Sequence, residues 1–332
     1  MVEEIEMEIV MGRLYIIGNG FDILHGLNTS WENFITSPSG QLWHSDMFES
    51  PDDLEHPWAD LERNLGRPNV EEILGKFESA YREVVSSSNP DDVGPIEPDN
   101  LLLENVLNVD INEYGALSEH IKEWISNIDL DEDFCTVPNW PSHDDLFITF
   151  NYTMTLEKKY AVKANRVCHI HGSTASGEII VGHGPKTKVR GLIDKESEEY
   201  APYDINPYVF QKTVDDQINK AAESIGKSII SITEKNLDAG FEALKSFLIN
   251  INKQTVDEII VIGHSLGEAD TPYIRKIAQV YPQAKWTITY HGSTSLKEDT
   301  RRNSEMRSRA ENNGIPKNRL TIITPEKYFM SL

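Results

Sequence analysis

The segment Arg13-Leu14-Tyr15-Ile16-Ile17-Gly18-Asn19-Gly20-Phe21-Asp22 decides the fold class. A short apolar run stopped abruptly by glycines reads as a buried strand feeding a tight turn, with a helix expected next. Six more runs read as strands: Leu146–Phe150, Arg166–Ile170, Glu178–Val181, Glu258–Ile262, Trp286–Tyr290 and Leu320–Ile323. Most are apolar on both faces, as parallel strands covered by helices on each side must be.

Helical patterns lie between them. Val70, Ile73, Leu74, Phe77, Tyr81 and Val84 share one face of a 3.6-residue repeat, with Asn69 as cap and Glu72 reaching back to it. Leu117, Ile121, Trp124, Ile125 and Ile128 mark a second helix, and Leu237, Phe241, Leu244 and Leu248 a third. Residues 86–100 are polar, acidic and proline-bearing, which suits an exposed loop. One strand at the start, a long helical stretch, returning strands and a second helical stretch predict an α/β fold. Its core is a Rossmann-like, mostly parallel sheet with large helical insertions. A single domain over residues 1–332 is expected, with sheet core at about 11–30, 144–187 and 255–332 and insertions at about 31–143 and 188–254.

Composition bounds the function. The chain has 332 residues, enough to bury a core without disulfides or metal. Formal net charge is −23, and a surface that acidic repels nucleic-acid backbones and anionic membranes. The two cysteines, Cys135 and Cys168, cannot build a disulfide framework or a four-cysteine zinc site, so no metal is expected. No run approaches the ~18 apolar residues of a membrane span. The acidic start Met1-Val2-Glu3-Glu4 is unlike a signal peptide, so a cytoplasmic location is expected. Met11 is an alternative start, since it directly precedes the first strand.

Four patches could carry chemistry. In the first, Gly18-Asn19-Gly20-Phe21-Asp22 precedes Gly26-Leu27 and Thr29. A strand, glycine turn and helix can present backbone N–H groups to a phosphate, or can simply turn the chain. Ile23 stands where a third glycine would complete the dinucleotide fingerprint. Asp22 fits either a ribose hydroxyl or a helix cap. In the second patch, Asn151 and Thr153 follow the strand ending at Phe150, where ligands of open α/β sheets bind. An asparagine there can orient a hydroxyl or water, or cap a helix.

The third patch is His169-Ile170-His171-Gly172. One of the two histidines is expected to face a cleft and the other the body of the protein. Such a histidine is either a general base or a structural residue, and His183 carries the same two readings. The fourth, Gly263-His264-Ser265-Leu266-Gly267, satisfies the nucleophile-elbow pattern of α/β-hydrolases. That reading needs an acid and then a histidine downstream. Asp270 follows too closely, and Asp299 comes after His291, the one later histidine. The arginines Arg301, Arg302, Arg307 and Arg309 could dock a phosphate or form a solvated helix face balanced by Glu298, Asp299, Glu305 and Glu311.

In order, the patches resemble the sirtuin-like NAD-binding superfamily, and most closely its AbiH abortive-infection branch. Phe150-Asn151-Tyr152-Thr153 is similar to the sirtuin T-x-N-x-D motif, His171-Gly172 to its catalytic histidine-glycine pair, and Gly263-His264-Ser265-Leu266 to its G-T-S-L motif. Trp58-Ala59-Asp60-Leu61-Glu62 resembles an acidic tryptophan motif of the AbiH branch. The resemblance implies NAD as substrate or ligand, with Asn151 and His171 catalytic. It also implies that Gly18, Asn19, Gly20, Phe21, Asp22, Thr29, Thr153, Gly263, His264, Ser265 and Asp270 line the nucleotide.

Two departures matter. Thr153 replaces the aspartate that binds the nicotinamide amide, and the zinc ribbon of protein deacylases is absent. The function implied is an anti-phage effector that hydrolyses the nicotinamide–ribose bond, with a phage-derived trigger and self-association as partners to consider. The alternatives are a silent nucleotide sensor and, third, a hydrolase using Ser265.

Overall fold

The computed structural model describes residues 11–43, 61–65, 67, 69, 116–130, 136–137, 140–183, 235–251 and 255–332. The expected helix over 70–84, the loop 86–100, Cys135 and Trp58-Ala59-Asp60 lie outside the described residues.

Six strands form one sheet: β1 (Met11–Ile17), β2 (Leu146–Thr149), β3 (Val167–His169), β4 (Thr255–Ile262), β5 (Lys285–Thr289) and β6 (Leu320–Ile323). The spatial order is β3-β2-β1-β4-β5-β6 and every pairing is parallel. The α/β, Rossmann-like class follows directly. Chain direction across the sheet reverses between β1 and β4, and that switch point is where such sheets open a crevice beyond their carboxyl ends.

Alternation along the strands explains why both faces are apolar. Leu14, Ile16, Leu146, Ile148, Ile259, Val261, Trp286 and Ile288 enter one core, with Leu244, Phe247, Ile274 and Ile277 from the helices Leu237–Asn250 and Thr271–Val280. Tyr15, Ile17, Phe147, Val167, Ile260 and Ile262 enter the other, with Phe21, Trp140, Leu156 and Tyr328. Neighbouring residues thus serve opposite faces.

One expected strand is absent. Glu178–Val181 does not join the sheet; Ile179 makes only an isolated antiparallel bridge to Gly172, and Ile180 N–H donates to His171 O at 2.8 Å. The cause is a local turn. Ser173 N–H donates to Ser176 Oγ at 2.9 Å and Ser176 N–H to Ser173 Oγ at 3.3 Å, which folds the chain back on itself. Ile128 also lies beyond its helix, which ends as Leu117–Ser126.

The chain divides into two compact units: Met1–Phe34, Ile121–Ile180 and Asn236–Leu332 form one, and Ile35–His120 with Val181–Lys235 form the other. The first holds the whole sheet. In the second, the fully buried Lys235 ammonium donates to Glu62 Oε1 at 2.6 Å, joining its two chain segments. Glu62 belongs to the acidic tryptophan motif, so part of that motif has a structural use. Removing one partner of a buried ion pair costs about 3–5 kcal/mol. Glu62→Ala is therefore expected to lower the urea midpoint by that equivalent, whereas an unchanged midpoint would show the pair to be dispensable.

No helix among the described residues is long and apolar enough to cross a membrane.

Candidate functional site

The candidates from Gly18 to Asp270, His183 excepted, sit beyond the carboxyl ends of β1 to β4, in the unit that holds the sheet. Two glycine loops meet there. Gly18 N–H donates to Ile262 O at 3.0 Å and Gly20 N–H to Gly263 O at 2.9 Å. A Cβ on Gly20 would stand 2.8 Å from Gly263 Cα, and one on Gly18 2.6 Å from His264 Cα. The close approach that these glycines permit is therefore between the β1 and β4 loops. Their N–H groups are spent on that contact rather than turned to a phosphate. Phe21 likewise points its ring into the apolar core against His25, Trp140 and Tyr160, and only its backbone borders the crevice. Asn19 donates through Nδ2 to Thr29 O at 2.6 Å, closing the loop that follows the first helix, Asn19–Leu24.

Below the loops lies a chain of buried polar groups. Thr155 Oγ1 donates to Thr153 Oγ1 at 3.1 Å, and Thr153 Oγ1 donates to Asp22 Oδ2 at 2.6 Å. Asn151 donates through Nδ2 to Gly18 O at 3.2 Å, and its N–H donates to Thr149 Oγ1 at 3.1 Å. Asp22, Asn151, Thr153, Thr155 and Thr29 are all buried. Three polar atoms in this cluster have no hydrogen-bond partner among the described residues: Asp22 Oδ1, Asn151 Oδ1 and Thr29 Oγ1. Unsatisfied buried groups cost about 1–3 kcal/mol each, so a concentration of them at a sheet's switch point makes this cluster the candidate site.

Burial pushes the Asp22 carboxyl up to about 6, against the opposing pull of hydrogen bonds from Thr153, Thr155 and Asn151 and of the nearby His169. The sign follows from linkage. A carboxyl whose folded pKa lies above its unfolded value stabilises the fold below the unfolded pKa, and that contribution is lost as pH rises through about 6. At pH 7 the buried charge costs about 3 kcal/mol. Asp22→Asn is therefore expected to be more stable than the parent at pH 8, with the difference closing below about pH 4. Urea unfolding of both proteins across that range checks it; a constant difference at every pH would contradict the assignment.

The two histidines have separate surroundings because β3 ends at His169 and His171 lies in the turn beyond it; on one strand, positions i and i+2 would share a face. His169 Nε2 lies 2.9 Å from Glu157 Oε1, and its Nδ1 3.3 Å from Asn151 O, so it braces the β2 loop. His171 is buried among Phe150, Tyr152 and Tyr273, with its Nε2 3.2 Å from Asp270 Oδ1. His264 Nε2 stands 3.1 Å from Asp270 Oδ2, while Leu266 N–H donates to His264 Nδ1 at 3.0 Å. Asp270 thus lies between two imidazoles, hydrogen-bonded to His264 and 3.2 Å from His171 Nε2. His183 is buried in the other unit, where its backbone oxygen accepts from Lys235 N–H at 3.0 Å.

Ser265 does not form a nucleophile elbow. That geometry strains the serine itself, whereas here positive φ falls at Gly263 (67°) and Leu266 (53°). His171 and His264 both face Asp270, and exposed Ser265 accepts from Arg309 Nη1 through its backbone oxygen at 2.9 Å. The arginine-rich helix Leu296–Asn312 is a balanced solvent face. Arg301 and Arg302 both bond Glu298, at 2.6 and 2.8 Å, and Lys317 bonds Glu311 at 3.1 Å.

Thr155, Tyr273 and Glu157 were not visible as site residues in the sequence. Thr155 opens the helix Thr155–Tyr160 after a bend at Tyr152 and Thr153, so no strand period links it to Asn151 and Thr153. Nothing local marks Tyr273 or Glu157.

A family model described as "Bacteriophage abortive infection AbiH" matches residues 14–290, a span that includes every residue of this site. No curated protein matches the chain.

Proposed function

Because the chain belongs to the bacteriophage abortive infection family AbiH, its role lies in phage abortive infection, and we propose that it acts there on NAD or a related nucleotide. The reaction is hydrolysis of the nicotinamide–ribose bond, at a site of sirtuin-like type beyond β1, β2 and β4. The observation that carries this reading is the set of unsatisfied buried atoms, Asp22 Oδ1, Asn151 Oδ1 and Thr29 Oγ1, beside two histidines that face one carboxylate. Two of the three are pure acceptors, and they call for donors such as ribose hydroxyls or a carboxamide.

Each residue then has a task. Asn151, fixed through Nδ2 to Gly18 O, keeps Oδ1 for a ribose hydroxyl or for the attacking water. His171 takes the proton of that water, and the enclosing rings of Phe150, Tyr152 and Tyr273 limit its contact with solvent. As nicotinamide leaves, the ribose gains positive character. The buried carboxylate of Asp22 then stabilises it.

Asp22 also answers the departure at Thr153. A threonine cannot supply the charge of the motif's aspartate, yet Thr153 Oγ1 holds the Asp22 carboxylate at 2.6 Å. The charge comes from β1 instead of β2, which favours turnover over a silent sensor. Keeping a buried charge that costs about 3 kcal/mol is the kind of destabilisation tolerated for function.

Binding is the first property to test. NAD and ADP-ribose are expected to raise the melting temperature of the parent, and Asn151→Ala to weaken that shift at least tenfold in ligand concentration. If neither nucleotide moves the parent's melting temperature, the reading is wrong.

A further inference from the structure

Strand β2 ends at Thr149, and beyond it side chains hold the backbone of Asn151. Asn151 N–H donates to Thr149 Oγ1 at 3.1 Å, and its carbonyl oxygen lies 3.3 Å from His169 Nδ1. A carbonyl oxygen only accepts, so His169 Nδ1 carries a proton and donates it. The other ring nitrogen, Nε2, is anchored 2.9 Å from Glu157 Oε1 on the helix Thr155–Tyr160. The His169 and Glu157 side chains are each 14% exposed, so water competes little for these bonds. Asn151 Nδ2 donates to Gly18 O at 3.2 Å. Backbone and amide nitrogen of Asn151 are thus tied to β2, to β3 and to the loop after β1, while Oδ1 has no partner among the described residues.

We propose that His169 is a positioning residue: through Nδ1 it holds the Asn151 carbonyl and so aims Asn151 Oδ1 into the crevice, with Glu157 fixing the imidazole ring. The task of Asn151 in nicotinamide release rests on the hydrolytic reading given above; the hold on its carbonyl does not. Placement matters because a shift of ~1 Å in a group that orients a reacting water costs on the order of 10²-fold in rate.

Amide isosteres separate the two nitrogens of His169. In His169→Asn the side-chain nitrogen takes the place of Nδ1, keeping the bond to Asn151 O and losing Glu157. In His169→Gln it takes the place of Nε2, keeping Glu157 and losing Asn151. Each variant loses one bond, so a merely structural role gives similar defects in both, whereas positioning splits them. Nicotinamide release by His169→Asn should stay within about threefold of the parent in kcat/KM, and that by His169→Gln should fall about 10–10²-fold. Two-dimensional 1H–15N spectra give a readout free of turnover. The side-chain amide pair of Asn151, assigned by its loss in Asn151→Asp, should keep its shifts in His169→Asn and move in His169→Gln.

Equal rates in the two variants, or a larger loss in His169→Asn, would overturn the proposal. An Asn151 amide pair unmoved in His169→Gln would overturn it as well. The expected shifts in a protein that never releases nicotinamide would support the hold on Asn151 and reject the hydrolytic reading.

Discussion

Gly263→Ala is expected to abolish the folded state. A Cβ at position 263 would lie 2.1 Å from Phe21 N and 2.4 Å from Gly20 C, and these are backbone atoms that cannot swing aside. The residue also sits at φ 67°, where a side chain adds about 1–2 kcal/mol of strain. Relieving the clash would pull apart the contacts Gly18 N–H to Ile262 O and Gly20 N–H to Gly263 O that seat the β1 loop on the β4 loop. The combined cost should exceed about 5 kcal/mol, a large share of a domain's typical 5–15 kcal/mol. Gly314→Ala is the matched control. Its φ is 86° with nothing within 4 Å of a Cβ, so only the backbone strain applies, about 1 kcal/mol. Circular dichroism melts of the two variants should differ by tens of degrees; similar melts would mean that the two loops do not depend on close packing.

The second large effect is on rate. His171→Ala removes the proposed base and leaves Asp270 still bonded to His264, so the β4 loop keeps its internal support. Nicotinamide release should fall about 10²–10⁴-fold, the range for loss of a positioned general base. Nucleotide binding should persist, because the unsatisfied acceptors Asp22 Oδ1 and Asn151 Oδ1 are untouched. Initial rates by chromatography, with a melting-temperature titration alongside, separate the two effects. A rate within threefold of the parent's would remove His171 from the mechanism.

The sheet was legible because strand burial leaves a local trace. Tyr15 and Ile16 serve opposite cores, and a short run apolar on both faces and stopped by glycine suits a strand covered on each side. Glu178–Val181 misled because a short apolar run says nothing of its partner, and the Ser173–Ser176 turn that diverts it is made by side-chain bonds. The glycines of both loops were legible as places where a backbone is closely approached. Sequence could not say that each loop is what approaches the other. Asn151 and His171 were singled out as candidates by their place after strands, but the contact of Thr153 with Asp22 joins residues 131 apart in the chain. Pairings at that separation have no periodicity to read. The place of Asp270 between two imidazoles was hidden for the same reason, since His171 reaches it from beyond a different strand.

Cleavage of a nucleotide in this crevice is the claim on which the rest depends. Purified protein incubated with NAD, with nicotinamide and ADP-ribose resolved by chromatography beside His171→Ala and Asn151→Ala, tests it most directly. Both products are expected from the parent, and neither from the variants above the spontaneous rate. NAD lost equally fast from all three, or left intact and unbound by the parent, would contradict it.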